Sequence, residues 1–159
     1  MEPHVREAKV QDAYQLLPTL RKADQQECHA YLGMSPRIVL PVTVRASSKD
    51  TWAMIGEQGE CVGLFGVQPV FGVDQMGMAW LMASDHLVQN NYYKFKFLKE
   101  SRTWLNLLLD KYPILGNYVD ERNELHLRWL KWLGFSVIKR MERFGYEQRP
   151  FLQVIKVKT

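Results

Sequence analysis

From Thr51 the hydrophobic period of the chain switches from helical to extended, and it stays extended as far as Asp85. That switch constrains the fold more than any other feature. "TWAMIGEQGECVGLFGVQPVF" reads as two strands joined by a hairpin at "EQGE", with Gly59 in the turn. "MGMAWLMASD" reads as a third strand, ending at Ser84–Asp85. With no helical stretch between them, the three strands pair antiparallel, and their sheet must be covered by helices from the flanking sequence.

Both flanks supply them. "HVREAK" has the extended character of a first strand, and Asp12 is placed to cap the helical segment "AYQLLPTLRKADQQECHAYLG". Leu16, Leu17, Leu20 and Ala23 keep helical spacing there, Pro18 predicts a break or kink, and Gly33 a stop. Ser35 and Pro36 form a cap and first-turn pair for "SPRIVLPVTVRASS", where β-branched residues and Pro41 leave helix and strand both open, a short helix being preferred. After the strands, "NNYYKFKFLKESRTWLNLLLDKY" is an amphipathic helix with Leu98, Leu105 and Leu109 in one stripe, ended by Pro113. "ILGNYV" is a short buried strand, Asp120 or Asn123 caps the next helix, and Gly134 stops it. "FSVIKRMERFGYEQRPFLQVIKVK" closes the chain as strands, with a hairpin through Arg149–Pro150. No repeat or linker divides the sequence. The expected architecture is therefore α/β (α+β), one domain over residues 1–159, with a mixed, mostly antiparallel central sheet flanked by helices.

Composition excludes several function classes. With 47% hydrophobic and 24% charged residues the chain reads as globular. No apolar run reaches the roughly 18 residues that a membrane span needs, and "MEPHVREAKV" lacks the apolar core of a signal peptide, so no membrane partner is expected. Cys28 and Cys61 stand in unlike contexts and are expected to be reduced thiols; no metal-ligand spacing occurs. The 21 Lys and Arg against 17 Asp and Glu leave a net charge of +4. That mild excess favours acidic partners, phosphates included, but lacks the dense stripe of a nucleic-acid binder. Lys94, Lys96, Lys99 and Arg102, and then Lys139, Arg140 and Arg143, read as solvated faces.

The segment "NELHLRWLKWLGF", Asn123 to Phe135, has unusual aromatic mass. His126, Trp129, Leu130 and Leu133 share one helical face, so His126 is either a hydrogen-bonded histidine at the edge of the core or an acid–base group suited to near-neutral pH. Asp85 and His86, just past a strand end, read as turn residues, with Asp85 capping backbone N–H groups. Capping alone explains Asn123, Glu57 and Glu60 are expected to face solvent, and Trp104, Trp129 and Trp132 to anchor a core or an interface.

Asn123, Gly134 and Phe135 also stand at the spacing Asn-x-x-Ala-x-x-x-Tyr-x-x-x-Gly-Phe, and with the order of elements this resembles the GNAT acyltransferase family. The run "FKFLKESRTWLNLLLDKYPILGNYVDERNELHLRWLKWLGF", about a quarter of the chain, and "WLMASD" before it resemble more closely the phage GNAT-like group that includes internal virion protein A of T7-like podoviruses. The GNAT resemblance implies a glycine-bearing loop that cradles the diphosphate of CoA, yet no glycine occurs between Met78 and Leu115, and "NNYYKFKF" fills the position. Lys94, Lys96 and Asn123 are left to hold acetyl-CoA if it binds. The tyrosine that often protonates the leaving thiolate is replaced by Leu130, and the alanine by His126. The resemblance thus implies a catalytically degenerate phage protein without a cofactor, acting as an internal or minor virion component or assembly factor. Its partners would be phage virion or host proteins, and its location the virion or the host cytoplasm. Two alternatives stand beside it. One is an acetyl-CoA-dependent N-acyltransferase with a divergent loop, in which Asp85, His86 or His126 handles protons. The other is a regulator binding a host protein through Tyr92 and Tyr93.

Overall fold

A computed structural model describes residues 1–159. Strand β1 (His4–Glu7) leads into α1 (Val10–Leu16), a 3-10 turn at Leu17–Thr19, α2 (Lys22–Leu32) and α3 (Pro36–Ser47). Then follow β2 (Thr51–Ile55), β3 (Cys61–Pro69), β4 (Met76–Ala83), α4 (Asp85–Gln89) and α5 (Asn91–Lys111). The chain ends with β5 (Ile114–Asp120), α6 (Glu124–Trp132), β6 (Ser136–Phe144) and β7 (Arg149–Val157). The expected run of elements is present, mixed α/β with one mostly antiparallel sheet flanked by helices.

The seven strands lie in the order β1-β2-β3-β4-β5-β7-β6. Every pairing is antiparallel except β4–β5, which joins Met76–Met78 to Ile114–Gly116 in parallel and then ends. Strand alternation sends side chains to two cores. Trp52, Met54, Phe65, Val67 and Leu81 join the core under α4, α5 and α6, whereas Ala53, Ile55, Leu64 and Trp80 join the one under α1 and α3. This explains why β2 is buried along its whole length.

Local chemistry sets the boundaries. Pro18, with no N–H to donate, falls in the 3-10 turn that separates α1 from α2. Ser35 accepts from the Arg37 N–H at 3.2 Å and Pro36 opens α3, so the ambiguous segment is a helix, with Pro41 inside it. Gly33 (φ +68°) and Gly134 (φ +95°) take the left-handed geometry that ends a helix. Three expectations are corrected. Asp12 lies inside the first turn of α1, where its carboxylate accepts from the Lys9 N–H at 2.7 Å, so the helix begins before it. The final hairpin turns at Gly145–Gln148, because Gly145 supplies the positive φ that Arg149 and Pro150, both in β7, do not. Tyr93 is buried, with Glu57 N–H donating to its hydroxyl at 2.8 Å, and only Tyr92 of that pair is exposed.

Helix α6 shows why its aromatic mass is there. Trp129 stacks on Phe97 of α5 at 5.9 Å, Trp104 stacks on Trp52 at 4.8 Å, and Leu130 is fully enclosed. Trp132 stays partly exposed under the guanidinium of Arg102, 3.7 Å from the ring centre. Leu130→Ala should cost about 2–5 kcal/mol, the usual range for a leucine lost from a rigid core. Urea unfolding measures it; a loss of only a few tenths would mean that α6 is not clamped on the sheet through this residue.

Candidate functional site

Where β4 and β5 part, a polar cluster fills the gap. The β4 edge that β5 abandons carries the backbone groups of Ala79 and Ala83. Ala79 O accepts from Asn117 Nδ2 at 2.7 Å. Ala83 is served entirely from α2 and the residue before it: its N–H donates to Asp24 Oδ2 at 3.0 Å, and its carbonyl accepts from the Arg21 N–H at 2.9 Å. On the other arm, the Asp120 N–H donates to Glu27 Oε1 at 2.7 Å. One helix therefore bonds to both diverging strands, meeting buried backbone groups at Ala83 and Asp120.

Asn123 joins the two halves. Its Nδ2 donates to Asp24 Oδ1 at 3.0 Å and to Glu27 Oε2 at 3.3 Å, while its Oδ1 accepts from Arg21 Nη2 at 3.1 Å. Arg21 also faces the Asp24 carboxylate at 3.3 Å, and Arg21, Asp24 and Asn123 are all buried. Asn123 stands at the start of α6, but its side chain makes no capping bond, because the buried charges of α2 claim the whole amide. Burial pushes the Asp24 carboxyl above its ordinary value, against the opposing pull of Arg21 and the Ala83 N–H. Asp120 is also buried, which pulls it upward, but bonds from Arg122 and the charges of Arg122 and Arg149 outweigh that and hold it below its ordinary value.

His126 extends the cluster. Its Nδ1 lies 3.4 Å from Glu27 Oε2, and its Nε2 is buried without a hydrogen-bond partner. Glu27 and His126 line a groove of about 380 Å³ with Cys28, Tyr31, Trp80 and Asn117. The exposed Leu32, Met34, Ile38 and Val42 form its rim. A second, apolar cavity of about 220 Å³ lies between β4, α5 and α6, and Leu81 lines both.

The other candidates lie apart from this cluster. Asp85 and His86 sit in α4, capped by Ser84, whose Oγ accepts from the Leu87 N–H at 3.3 Å. His86 lies edge-on to Tyr93 and faces a different cavity, beside Glu57 and Glu60. Lys94 reaches the apolar cavity, whereas Lys96 pairs with Glu100 along the helix at 3.6 Å. Two residues apart on a helix, the lysines point to different sides and do not converge on one anion. Burial raises the Cys28 thiol to about 11 and the Cys61 thiol to about 12, so both are held protonated. Arg21, Asp24 and Glu27 escaped the sequence reading. The available signal was three charges spaced by three residues on a helix with few large apolar side chains.

Diphosphate chemistry does not fit the start of α5. The "NNYYKFKF" segment is helical from Asn91, with no glycine to admit a phosphate, and Asn90 Oδ1 already accepts the Tyr93 N–H at 3.2 Å. The β4 edge at Ala83 is likewise taken. The start of α5 therefore lacks a glycine cradle for a diphosphate.

Comparison with known proteins gives two different signals. Residues 60–141, more than half of the chain, match the family described as Bacteriophage T7, probable scaffold protein Gp13. No curated protein sequence matches. Among solved structures, the GNAT-family acetyltransferase of Streptococcus pneumoniae superposes with a TM-score of 0.71 at 19% identity, over 99% of this chain and 100% of that one. A GCN5-related N-acetyltransferase of Kribbella flavida gives 0.69 at 13% identity, over 98% and 97%. The ribosomal-protein-S5-alanine acetyltransferase of Vibrio fischeri gives 0.68 at 12% identity, over 99% and 94%. At these identities the likeness establishes the GNAT fold.

Two predictions follow from the cluster. Asp24→Ala strands a buried guanidinium and the Ala83 N–H, and should cost about 3–5 kcal/mol in urea unfolding, with Asp24→Asn costing less. A loss of under about 1 kcal/mol would show that the cluster does not hold the strands. Because the Asp120 pKa is lowered, its stabilisation is complete above the ordinary value of 3.8 and disappears as pH falls through the lowered value. Asp120→Asn should therefore flatten the acid limb of the stability–pH curve; an unchanged limb would assign it to other carboxylates.

Proposed function

Because the chain belongs to the family of the probable scaffold protein Gp13 of bacteriophage T7, we propose that it is a phage GNAT-like protein acting through its surface. It serves as an assembly factor or an internal or minor virion component, its acyl-transfer chemistry lost. Residues 1–159 work as one domain, in the virion or the host cytoplasm, and its partners are phage virion or host proteins. The observation that carries this reading is the family match over residues 60–141, and the bonding of Ala83 at the end of the β4 edge to Asp24 and Arg21 supports it. Leu130, fully buried at the place of a proton-donating tyrosine, supports it. Function follows the site and not the fold.

One observation favours a second reading, an N-acyltransferase. His126 Nε2 is buried without a partner, and His126 and Glu27 both line the same groove. In the tautomer whose Nδ1–H donates to Glu27, Nε2 is a spare acceptor that an amine in the groove would have to reach through the packing over it. On this reading His86 has no part, since it lines another cavity, and neither does Asp85 beside it in α4.

Calorimetric titration with acetyl-CoA, with desulfo-CoA and ADP as controls, separates the two. The surface reading expects no saturable binding at millimolar ligand. Micromolar binding would overturn it and put His126→Ala next in an acyl-transfer assay. Mass spectrometry of purified particles then distinguishes a virion component, which is retained, from an assembly factor, which is absent.

A further inference from the structure

The most exposed large hydrophobic side chain of the protein is Phe71, 102% accessible in the β3–β4 loop. It is held there. The Val73 N–H donates to the Val70 carbonyl at 3.2 Å, and Gly72 takes φ +78°, as the third position of such a turn requires. The Val70 N–H donates to the Met76 carbonyl at 3.2 Å and closes the loop behind it. Asp74 is exposed three residues after the ring. An exposed aromatic side chain on a braced turn, with an exposed carboxylate in the same loop, is a knob.

The same chain carries a matching socket. The cavity of about 220 Å³ between β4, α5 and α6 is walled by Leu81, Phe97, Leu125, Trp129 and Trp132. A cavity of roughly 150 Å³ accommodates benzene, whereas drug-sized ligands occupy about 300–1,000 Å³. The size therefore suits one aromatic side chain and not a large cofactor. Its only charged lining residues are Lys94 and Arg128, and neither forms an ion pair within the chain; nor does Arg102, stacked on Trp132 at its edge. Unpaired cations around an apolar hole select an apolar anchor with a carboxylate beside it.

The knob cannot fill its own socket. Phe71 precedes β4, while Leu81 and Ala83 line the socket at the far end of that strand. Eight residues at about 3.3 Å each put the two ends roughly 25 Å apart. We infer that a second copy of this chain is the occupant: Phe71 of one copy enters the apolar socket of the next, with Asp74 facing Lys94 and Arg128. Such a contact is reciprocated in a two-fold dimer or, where the two copies are not related by a two-fold axis, runs head-to-tail into chains or rings. This deepens the surface-acting reading above by naming a partner, and it rests on the cavity being free of cofactor.

Sedimentation velocity of the full chain over a range of concentrations tests it. The wild type should self-associate at high concentration, as a dimer or as larger species. Phe71→Ala, which removes a fully exposed ring and leaves the core intact, should stay monomeric at the same concentration. The double variant Lys94→Glu/Arg128→Glu, altered only at exposed positions, should also stay monomeric. Mixed together, the two variants should give a one-to-one dimer that grows no further, since one keeps the socket and the other the knob. A monomeric wild type at several hundred micromolar, assembly by Phe71→Ala equal to wild type, or no dimer on mixing would overturn the inference. Failure here with no CoA binding in the calorimetric titration removes only the self-assembly contact. Micromolar CoA binding removes the surface reading itself.

Discussion

The structure depends on how the protein manages a sheet whose middle comes apart. Parallel pairing of β4 with β5 lasts for three residues, after which two strands carry backbone groups with no ladder partner. Buried amides and carbonyls left without partners cost free energy on the scale of the whole fold's stability. Here α2 answers both strands at once, Asp24 and the Arg21 backbone on one side and Glu27 on the other, with Asn123 tying the two carboxylates together. Since burying charges without compensation is costly, each member of this cluster needs the others. The placement of α6 on the sheet and of α2 over the gap are two consequences of one hydrogen-bonded group.

That solution has a chemical consequence. A splayed sheet with free backbone edges is a place to bind an extended ligand; here side chains tie that edge at Ala79 and Ala83 and the facing strand at Asp120. The start of α5 agrees with this, since bulky residues fill its first turns and Asn90 uses up one of the N–H groups that a phosphate would seek. The two cavities that meet at Leu81 are separate openings of different character, one apolar with unpaired cations, the other apolar-rimmed with a histidine at its base. A shared fold with solved acetyltransferases therefore coexists with a local chemistry of its own.

Much of the fold was legible because it depends on local rules. Period two from Thr51 onward, Pro18 as a break, Ser35–Pro36 as a helix start, and Gly33 and Gly134 as stops all act within a few residues. Misplaced boundaries had an equally local cause: Asp12 caps from the third position of its helix, and the last turn sits on Gly145 instead of Pro150. The site was legible in part. His126 lies at the edge of the core on the predicted face of α6, but the carboxylate beside it comes from Glu27, 99 residues earlier in the chain.

By itself, the sequence determined the elements, their order, the family spacing of Asn123, Gly134 and Phe135, and the loss of small residues before the long helix. Those properties are carried by neighbours in the chain, through hydrogen-bond geometry, side-chain volume and backbone torsion. Only the tertiary structure decided what Asn123 does. A helix cap and a network hub are written with the same residue, and the choice between them was made by two buried carboxylates and a guanidinium that α2 brings to it. Tertiary structure likewise separated Asp85 and His86 from His126, and set Phe71 at the opposite end of β4 from the cavity between α5 and α6. Spatial proximity across the sheet, the one quantity that spacing along the chain does not encode, is the physical reason.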